Sequence, residues 1–525
     1  MSFVVHSFLS CIDPLAVFAR IAKPPHLRYH SSVPTYHVEN FGCRATQADG
    51  AALERQFEAR GLARAASSDA DLVILNTCTV TNSADQDARA AIRRVQRQNP
   101  LAKIIVTGCY AQRAPEEIAA LPGVTVVVGN SHKHQLAEIA LHNPAQNLYH
   151  VPASHFGPRD IAGQDFGWRS ASSAAISAGS LDPALAAEGS AFIPLTNLSS
   201  GSRKPEARLF VSDIFAHTEL LAAPVFESAY GTHADDRTRP NLKVQDGCDN
   251  RCSFCVIPSV RGHSRSLPLP GILREVNALV AAGYRELVVS GINLGRWGRD
   301  LRLSTSGFRQ ERFQHLLEAI LSETQLEKLR ISSVEPMDWT NDLIALVASS
   351  QRIAKHAHVP LQSGSDAVLR RMHRKYRPWH YREKIDKIRA AMPTAAIGAD
   401  VMVGFPGETD SEFEATRRLI EELPFTYLHV FTYSARPGTP AAAMRDQVPV
   451  HLARERNKIL RDLAAHKKRA FMESFVGQKL QAITLNPAKA AGDFTEALTD
   501  NFQKLYLKGR HEPNRWSSVR ITGVA

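Results

Sequence analysis

The chain has 525 residues, 44% hydrophobic and 22% charged, which is the composition of an ordinary soluble protein with room for about three domains and a real core. Its 63 Lys and Arg against 52 Asp and Glu leave a net charge of +11, which suits a polyanionic partner, although diffuse basic surfaces also occur without one. No run of eighteen apolar residues is present, so no membrane span is expected. Six of the seven cysteines fall into two groups, which favours metal binding in a reducing compartment such as the cytoplasm over a disulfide framework.

Residues 1–34 are expected to be a disordered extension. Asp13 and Pro14 interrupt its short apolar stretches and no basic n-region precedes them, so it does not have the form of a signal peptide. Cys11 there is taken as a bystander.

Residues 35–150 alternate short apolar runs with amphipathic ones, as α/β domains do. Strands are expected at Tyr36–Phe41, Asp71–Asn76, Lys103–Thr107 and Val124–Val128, and helices at Gln47–Arg60, Ala84–Gln98 and Pro115–Ala120. Cys43, Cys78 and Cys109 each follow one of the first three strands. Ligands of a parallel sheet bind beyond the carboxyl ends of its strands, so the three thiols should meet at one edge. A three-cysteine iron–sulfur site is the sharp reading and buried strand-end packing the bland one. Gly42 and Gly108 would let backbone approach a cluster closely. Asn76 and Thr77 have two readings, hydrogen bonds to sulfur or capping of the next helix.

Residues 151–238 read as a linker. Fourteen of the twenty residues from Ala171 to Ser190 are Ala, Ser or Gly, too little apolar surface to offset ordering. Ile214–Tyr230 regains regular potential and either covers the cluster edge or packs as a connector.

Residues 239–473 begin with a strand that runs into Cys248, Cys252 and Cys255, a C-x3-C-x2-C spacing with Phe254 before the last cysteine. Three thiolates hold three irons of a [4Fe-4S] cube and leave the fourth open for a substrate or cofactor. A zinc site completed by His263, or simple core packing, are the competing readings. Strand–helix units follow, with strands expected at Lys243–Asp246, Glu286–Ser290, Lys328–Ser333, His358–Leu361, Ile397–Gly404 and Thr426–Ser434. Six such units suit a partial β/α barrel with function at the carboxyl ends of its strands. Polar turns stand there: Ser290-Gly291-Ile292-Asn293, Ser332–Glu335, Gln362–Ser365 and Gly404–Glu408.

A basic helix at Arg454–Arg469, seven Lys or Arg against two acids, leads to residues 474–525. Short strands expected at Lys479–Leu485, Thr495–Leu498, Lys504–Leu507 and Ser518–Thr522 make a small C-terminal β-barrel. The fold class is therefore α/β: an N-terminal parallel-sheet domain, a central partial β/α barrel and that small barrel.

The two cysteine sets, their order and the barrel turns resemble the methylthiotransferase family of radical S-adenosylmethionine (SAM) enzymes, over about Tyr36 to Arg520 apart from the Ala/Ser-rich insertion. The resemblance implies two [4Fe-4S] clusters: one on Cys248, Cys252 and Cys255 that binds SAM and cleaves it to a 5′-deoxyadenosyl radical, and an auxiliary one on Cys43, Cys78 and Cys109 that supports sulfur transfer. It implies that a second SAM methylates the sulfur before the methylthio group passes to a substrate carbon. It also implies that Phe254 lies near adenine and that Ser290, Gly291, Asn293, Ser333, Glu335, Gln362 and Ser363 contact SAM. The C-terminal barrel is similar to the TRAM module, associated with RNA. Asn40–Arg44, Val244–Cys248 and Ser290–Arg296 resemble the MtaB-type branch, which implies threonylcarbamoyl-adenosine at tRNA position 37 as substrate. Isopentenyl-adenosine of tRNA, an aspartate of a ribosomal protein, and a non-catalytic iron–sulfur RNA-binding protein stay as alternatives. The implied partners are tRNA, an electron donor of flavodoxin or ferredoxin type, and a sulfur source. Arg296, Arg299 and the Arg370–Arg377 run are read either as contacts to phosphates or to the threonyl carboxylate, or as surface charge.

Overall fold

The structure, a computed structural model, describes residues 33–141, 207–217, 238–301, 311–486 and 493–524. Cys11, the Ala171–Ser190 stretch and most of Ile214–Tyr230 lie outside the described residues. Among those described, no helix is long and apolar enough to cross a membrane.

The N-terminal domain is a six-stranded parallel sheet. Leu72–Thr77 and Lys103–Gly108 are its central strands, and their nearly unbroken burial explains the continuous apolar runs, since a parallel sheet is covered on both faces. The helix Asn82–Gln98 starts where the Thr81 hydroxyl accepts the Ala84 N–H. The sixth strand is Arg208–Phe210, paired with Val126–Val128. This piece of the expected linker therefore completes the sheet, an edge pairing too short to leave a sequence pattern.

The central unit carries six parallel strands in chain order: Asn241–Asp246, Glu286–Gly291, Lys328–Ile331, His356–His358, Ala396–Val403 and Tyr427–Thr432. Single bridges, Leu329 to Ile353 and Ser333 to His358, join the two halves into one curved wall. Apolar residues on the outer face of each strand, such as Leu242, Leu287, Leu329, Ala357, Ile397 and Val401, form one core with the surrounding helices. The fourth strand ends at His358 instead of covering His358–Leu361. Pro360 has no N–H to continue the ladder, and the N–H groups of Leu361 and Gln362 instead both turn to the Asp400 carbonyl.

The C-terminal strands, Lys479–Thr484, Phe494–Thr499, Lys504–Lys508 and Trp516–Arg520, form an antiparallel sheet. Its Thr499–Gln503 turn docks on the barrel. The buried Arg330 guanidinium donates to the Thr499 and Asp500 carbonyls at 3.1 and 3.2 Å while pairing with Glu286 at 2.7 Å. Phe502 lies 4.5 Å from the His356 ring.

The N-terminal domain grips the barrel at both ends of its wall. Asp49 meets Lys243 of the first strand, and Asp85 with Asn82 meets Arg436, just past the last.

Candidate functional site

Three adjacent strands deliver Cys43, Cys78 and Cys109 to one sheet edge, as the strand-end argument requires. Gly42 and Gly108 have φ near +99° and +101°, a region L-residues avoid. A Cβ on Gly42 would lie 2.5 Å from the Cys78 Cβ and 2.8 Å from its sulfur, so only glycine lets the first loop close on the second. Burial, then the neighbouring Cys109 and Cys43, push the Cys78 thiol up to about 12. Asn130 Nδ2 reaches the Cys109 sulfur at 3.6 Å. Asn76 and Thr77 follow neither expected reading. Asn76 donates to the Asn40 side chain and the Thr46 carbonyl and accepts from Lys133, while the Thr77 hydroxyl donates to the Thr107 carbonyl, so both tie strand ends together.

The second triad follows the first barrel strand. The Cys248 sulfur accepts the Asn250 N–H at 3.4 Å and Asn293 Nδ2 at 3.5 Å. The Cys252 sulfur accepts a guanidinium N–H of Arg374 at 3.3 Å. Burial, then Cys252 and Cys248, push the Cys255 thiol up to about 12. Donors aimed at sulfur favour the thiolate form, and a bound cation replaces the proton that burial would otherwise retain. His263 is no fourth ligand: its ring is 65% exposed and its Nδ1 bonds Asp249 at 2.8 Å. Among the described residues the only three metal-ligand atoms drawn within 4.8 Å of one another belong to His358, Asp400 and His429. Neither cysteine triad is closed to the ~3.8 Å sulfur spacing that a tetrahedral zinc with ~2.3 Å bonds imposes. Three thiols at wider spacing fit an iron–sulfur cube better than a single metal ion.

Of the turn residues, Asn293 and Glu335 stand beside this triad. The Asn293 N–H donates to Gln245 Oε1 at 2.7 Å, and its own Oδ1 is buried without a partner among the described residues. Burial pushes the Glu335 carboxyl up, Arg374 opposes this, and Glu335 pairs with the guanidinium that also reaches Cys252. Gly291 packs against Gln245, and Gln362 has φ +62° with a buried, unpartnered Oε1. Ser333 is exposed at the bridge to His358. The side-chain hydroxyls of the other two turn serines have internal partners: Ser290 Oγ donates to the Leu242 carbonyl, and Ser363 Oγ pairs with Thr416 on the helix behind. Phe254 packs edge-on to Phe405 at 6.5 Å. Arg296 and Arg299 both pair with Asp338, Arg370 and Arg377 with Asp366, and Arg371 with Glu412, so internal ion pairs occupy most of the arginines expected to be available for phosphate.

Sequence reasoning missed the buried ion network between the triads. Arg261 grips Asp246 with 2.9 and 3.0 Å bonds and Asp49 at 3.0 Å; Lys243 pairs with both carboxylates, and Lys133 with Asp49 at 3.1 Å. Three cations against two anions leave a buried positive excess. Burial lowers the Arg261 pKa, but Asp246, Cys109 and the other anions around it outweigh that and hold it charged. Only Lys243, three residues before Asp246 on the same strand, hinted at this, since Arg261 stands 15 positions further on and Asp49 belongs to the N-terminal domain. The triads are themselves close: Val256, next to Cys255, shares a small apolar cluster with Cys109 and Val260.

The sequence profile of the uncharacterized protein family UPF0004 matches residues 35–129, and that of the radical SAM superfamily matches residues 242–420. The chain is 33% identical over 485 residues to the threonylcarbamoyladenosine tRNA methylthiotransferase MtaB of Bacillus subtilis, covering 91% of this chain and 91% of that protein. It is 31% identical over 468 residues to the tRNA-2-methylthio-N(6)-dimethylallyladenosine synthase of Novosphingobium aromaticivorans, covering 88% and 89%. A solved structure of the radical SAM methyltransferase TsrM of Kitasatospora setae aligns with a TM-score of 0.49 and 15% identity, over 78% of this chain and 75% of that one. With relatives this similar over nearly their whole length, a radical SAM match on the barrel and a cysteine triad at the mouth of each parallel sheet, the chain belongs to the radical SAM methylthiotransferase family.

Proposed function

We propose that the protein converts threonylcarbamoyl-adenosine beside the tRNA anticodon, at position 37, to its 2-methylthio derivative. The observation that carries the reading is the nearness of the two cysteine triads: Val256, which follows Cys255, packs in one small apolar cluster with Cys109. Two cofactor sites at that separation allow one to activate the substrate carbon while the other presents sulfur to it. The name borne by the Bacillus subtilis relative supports the choice of substrate.

In this reading Cys248, Cys252 and Cys255 hold the cluster that binds SAM, and Cys43, Cys78 and Cys109 hold the auxiliary one. When bound, the first supplies reductive cleavage of SAM, chemistry that no acid–base side chain provides. The protein's own residues bind and orient. Arg374 and Asn293 donate to the cluster thiolates, which lowers the charge that reduction must add to. Arg374 is itself aimed by Glu335 and by the Tyr376 ring, 4.9 Å below its guanidinium. Arg261 places positive charge beside Cys109 and Cys43, and Lys133 lies near Cys109, although burial lowers its pKa. An electron donor and a sulfur source complete the reaction from outside the chain.

Anaerobic reconstitution should give about eight irons per chain. Cys252→Ala should keep about half the iron and cleave no SAM, whereas Cys78→Ala should still yield 5′-deoxyadenosine but no methylthio product. Matched tRNAs carrying threonylcarbamoyl- or isopentenyl-adenosine, and a ribosomal protein substrate, decide the branch. Product from either of the latter two but not from the first would overturn it.

A further inference from the structure

Strands His356–His358, Ala396–Val403 and Tyr427–Thr432 turn a polar face inward that nothing above employs. Register sets His358, Gly398 and Tyr427 in one row and Asp400 beside His429. A Cβ on Gly398 would lie 2.0 Å from the Tyr427 ring, so the glycine is what allows that ring to lie across the sheet. The Tyr427 hydroxyl meets His356 Nε2 at 2.7 Å and His358 Nδ1 at 3.0 Å, and Asp400 takes His358 Nε2 at 3.1 Å and His429 Nδ1 at 3.2 Å. One assignment serves all four contacts with neutral rings: His356 donates to Tyr427, Tyr427 to His358, and His358 and His429 both to Asp400. Burial raises the Asp400 carboxyl, but the bonds from His358 and His429 outweigh it and hold the group ionised.

The chain of donors ends on His429, whose ring is 63% exposed and whose Nδ1 is committed, leaving Nε2 as its free hydrogen-bonding atom. That ring lines a cavity of about 630 Å³ shared with Arg239, Arg461, Lys468, Phe502 and Lys504. The Asp400 carbonyl accepts the Gln362 N–H at 2.8 Å, so the cluster lies in the layer next to a turn at the barrel mouth. Resting on the tRNA methylthiotransferase reading, we propose that His429, held by Asp400, is a binding site for the polar N6 substituent of the target adenosine and sets the preference for threonylcarbamoyl over isopentenyl. A threonylcarbamoyl group offers a hydroxyl and an N–H that can donate to the Nε2 lone pair, and Arg239, Arg461 and Lys468 supply a positive field for its carboxylate. An isopentenyl group offers none and would bury the imidazole unpaired. A site built around hydrogen bonds rejects such an analogue far more strongly than an apolar pocket rejects an extra methylene.

The test uses the reconstituted full chain with tRNAs carrying either modification. His429→Ala should raise KM for the threonylcarbamoyl tRNA about tenfold with kcat changed less, and narrow the kcat/KM ratio between the two tRNAs by a similar factor. His429→Gln, which keeps an acceptor, should recover part of both. Unchanged KM and selectivity in both variants would overturn the assignment, as would a stoichiometric divalent metal in the wild type that His429→Ala loses. A wild type inactive on the threonylcarbamoyl tRNA would remove the functional reading and this site with it, whereas an active wild type with unaltered variants removes only the site.

Discussion

A methyl group at position 42 would collide with the Cys78 side chain and would also have to hold φ near +99°. Strain of ~1–3 kcal/mol from the backbone alone would be relieved by drawing the first loop away from the second, because the clash lies between two of the three thiols. Gly42→Ala is therefore expected to lose about half the iron on reconstitution, with SAM cleavage retained by the other triad; iron analysis beside a cleavage assay checks this. The cysteines also set a pH dependence. Cys78 and Cys255 are pushed up to about 12, against about 8.5 in an unfolded chain. A thiol whose folded pKa is raised contributes stability below the unfolded value and loses it as pH climbs toward the folded one. Cluster-free protein should thus show a urea midpoint that falls from about pH 8.5 upward, and the Cys78→Ala, Cys255→Ala double variant should lack most of that slope. The six cysteines proposed as cluster ligands were legible as two groups in the sequence. Their donors were legible only in part: Asn293 was expected as a SAM contact and not as a donor to sulfur, and Arg374 stood in a basic run read as phosphate or carboxylate contacts or as surface charge.

At the scale of elements, the C-terminal sheet is fastened to the barrel by polar side chains, among them the buried Arg330, Lys328 paired with Asp500 at 2.9 Å, and Asn501 on the Thr394 carbonyl. Arg330 and Glu286 are both fully buried, and the same guanidinium holds the Thr499 and Asp500 carbonyls. Removing one partner of a buried pair strands the other, at a cost of about 3–5 kcal/mol. Arg239, 3.7 Å from Glu286, should temper this toward the lower end. Arg330→Met is expected to lower unfolding stability by about 3 kcal/mol and to expose the C-terminal strands to protease, measured by denaturant titration and limited proteolysis. Deleting the sheet should for the same reason weaken the barrel beneath it. The helix Val450–Glu473 shows how composition misleads about charge. Arg456 is buried against Glu408 and Asp410, Lys458 and Arg469 pair along the helix, and Lys467 caps the Glu421 and Leu423 carbonyls. Arg454, Arg461 and Lys468 remain exposed.

Over the whole molecule, the N-terminal domain is locked to the barrel by buried charge at Asp49 and at Asp85, so the two triads are held at a constant offset. A rigid offset matters if sulfur and substrate carbon must meet, because small misplacements cost orders of magnitude in rate. The net charge of +11 then acts through the few cations not consumed internally. Binding of the proposed tRNA substrate should weaken linearly in log–log terms as salt rises, and Arg461→Ala or Lys468→Ala should each lower that slope by about one while weakening affinity. Filter binding across salt concentrations measures it, and slopes equal to wild type would place the RNA elsewhere.

The sequence by itself determined the elements and their chemistry. Short apolar runs marked the parallel strands to within about three residues, strand-end cysteines marked two candidate cluster sites, and their order carried the family. These are local properties, set by which residues stand next to which along the chain. What only the tertiary structure decided is who meets whom across it. Arg261 reaches Asp49 over 212 positions and Arg436 reaches Asp85 over 351. His358, Asp400 and His429 become neighbours only because three strands align in one register. A shift of one residue would have turned that whole row to the other face, and no single strand's pattern records the register of its neighbour.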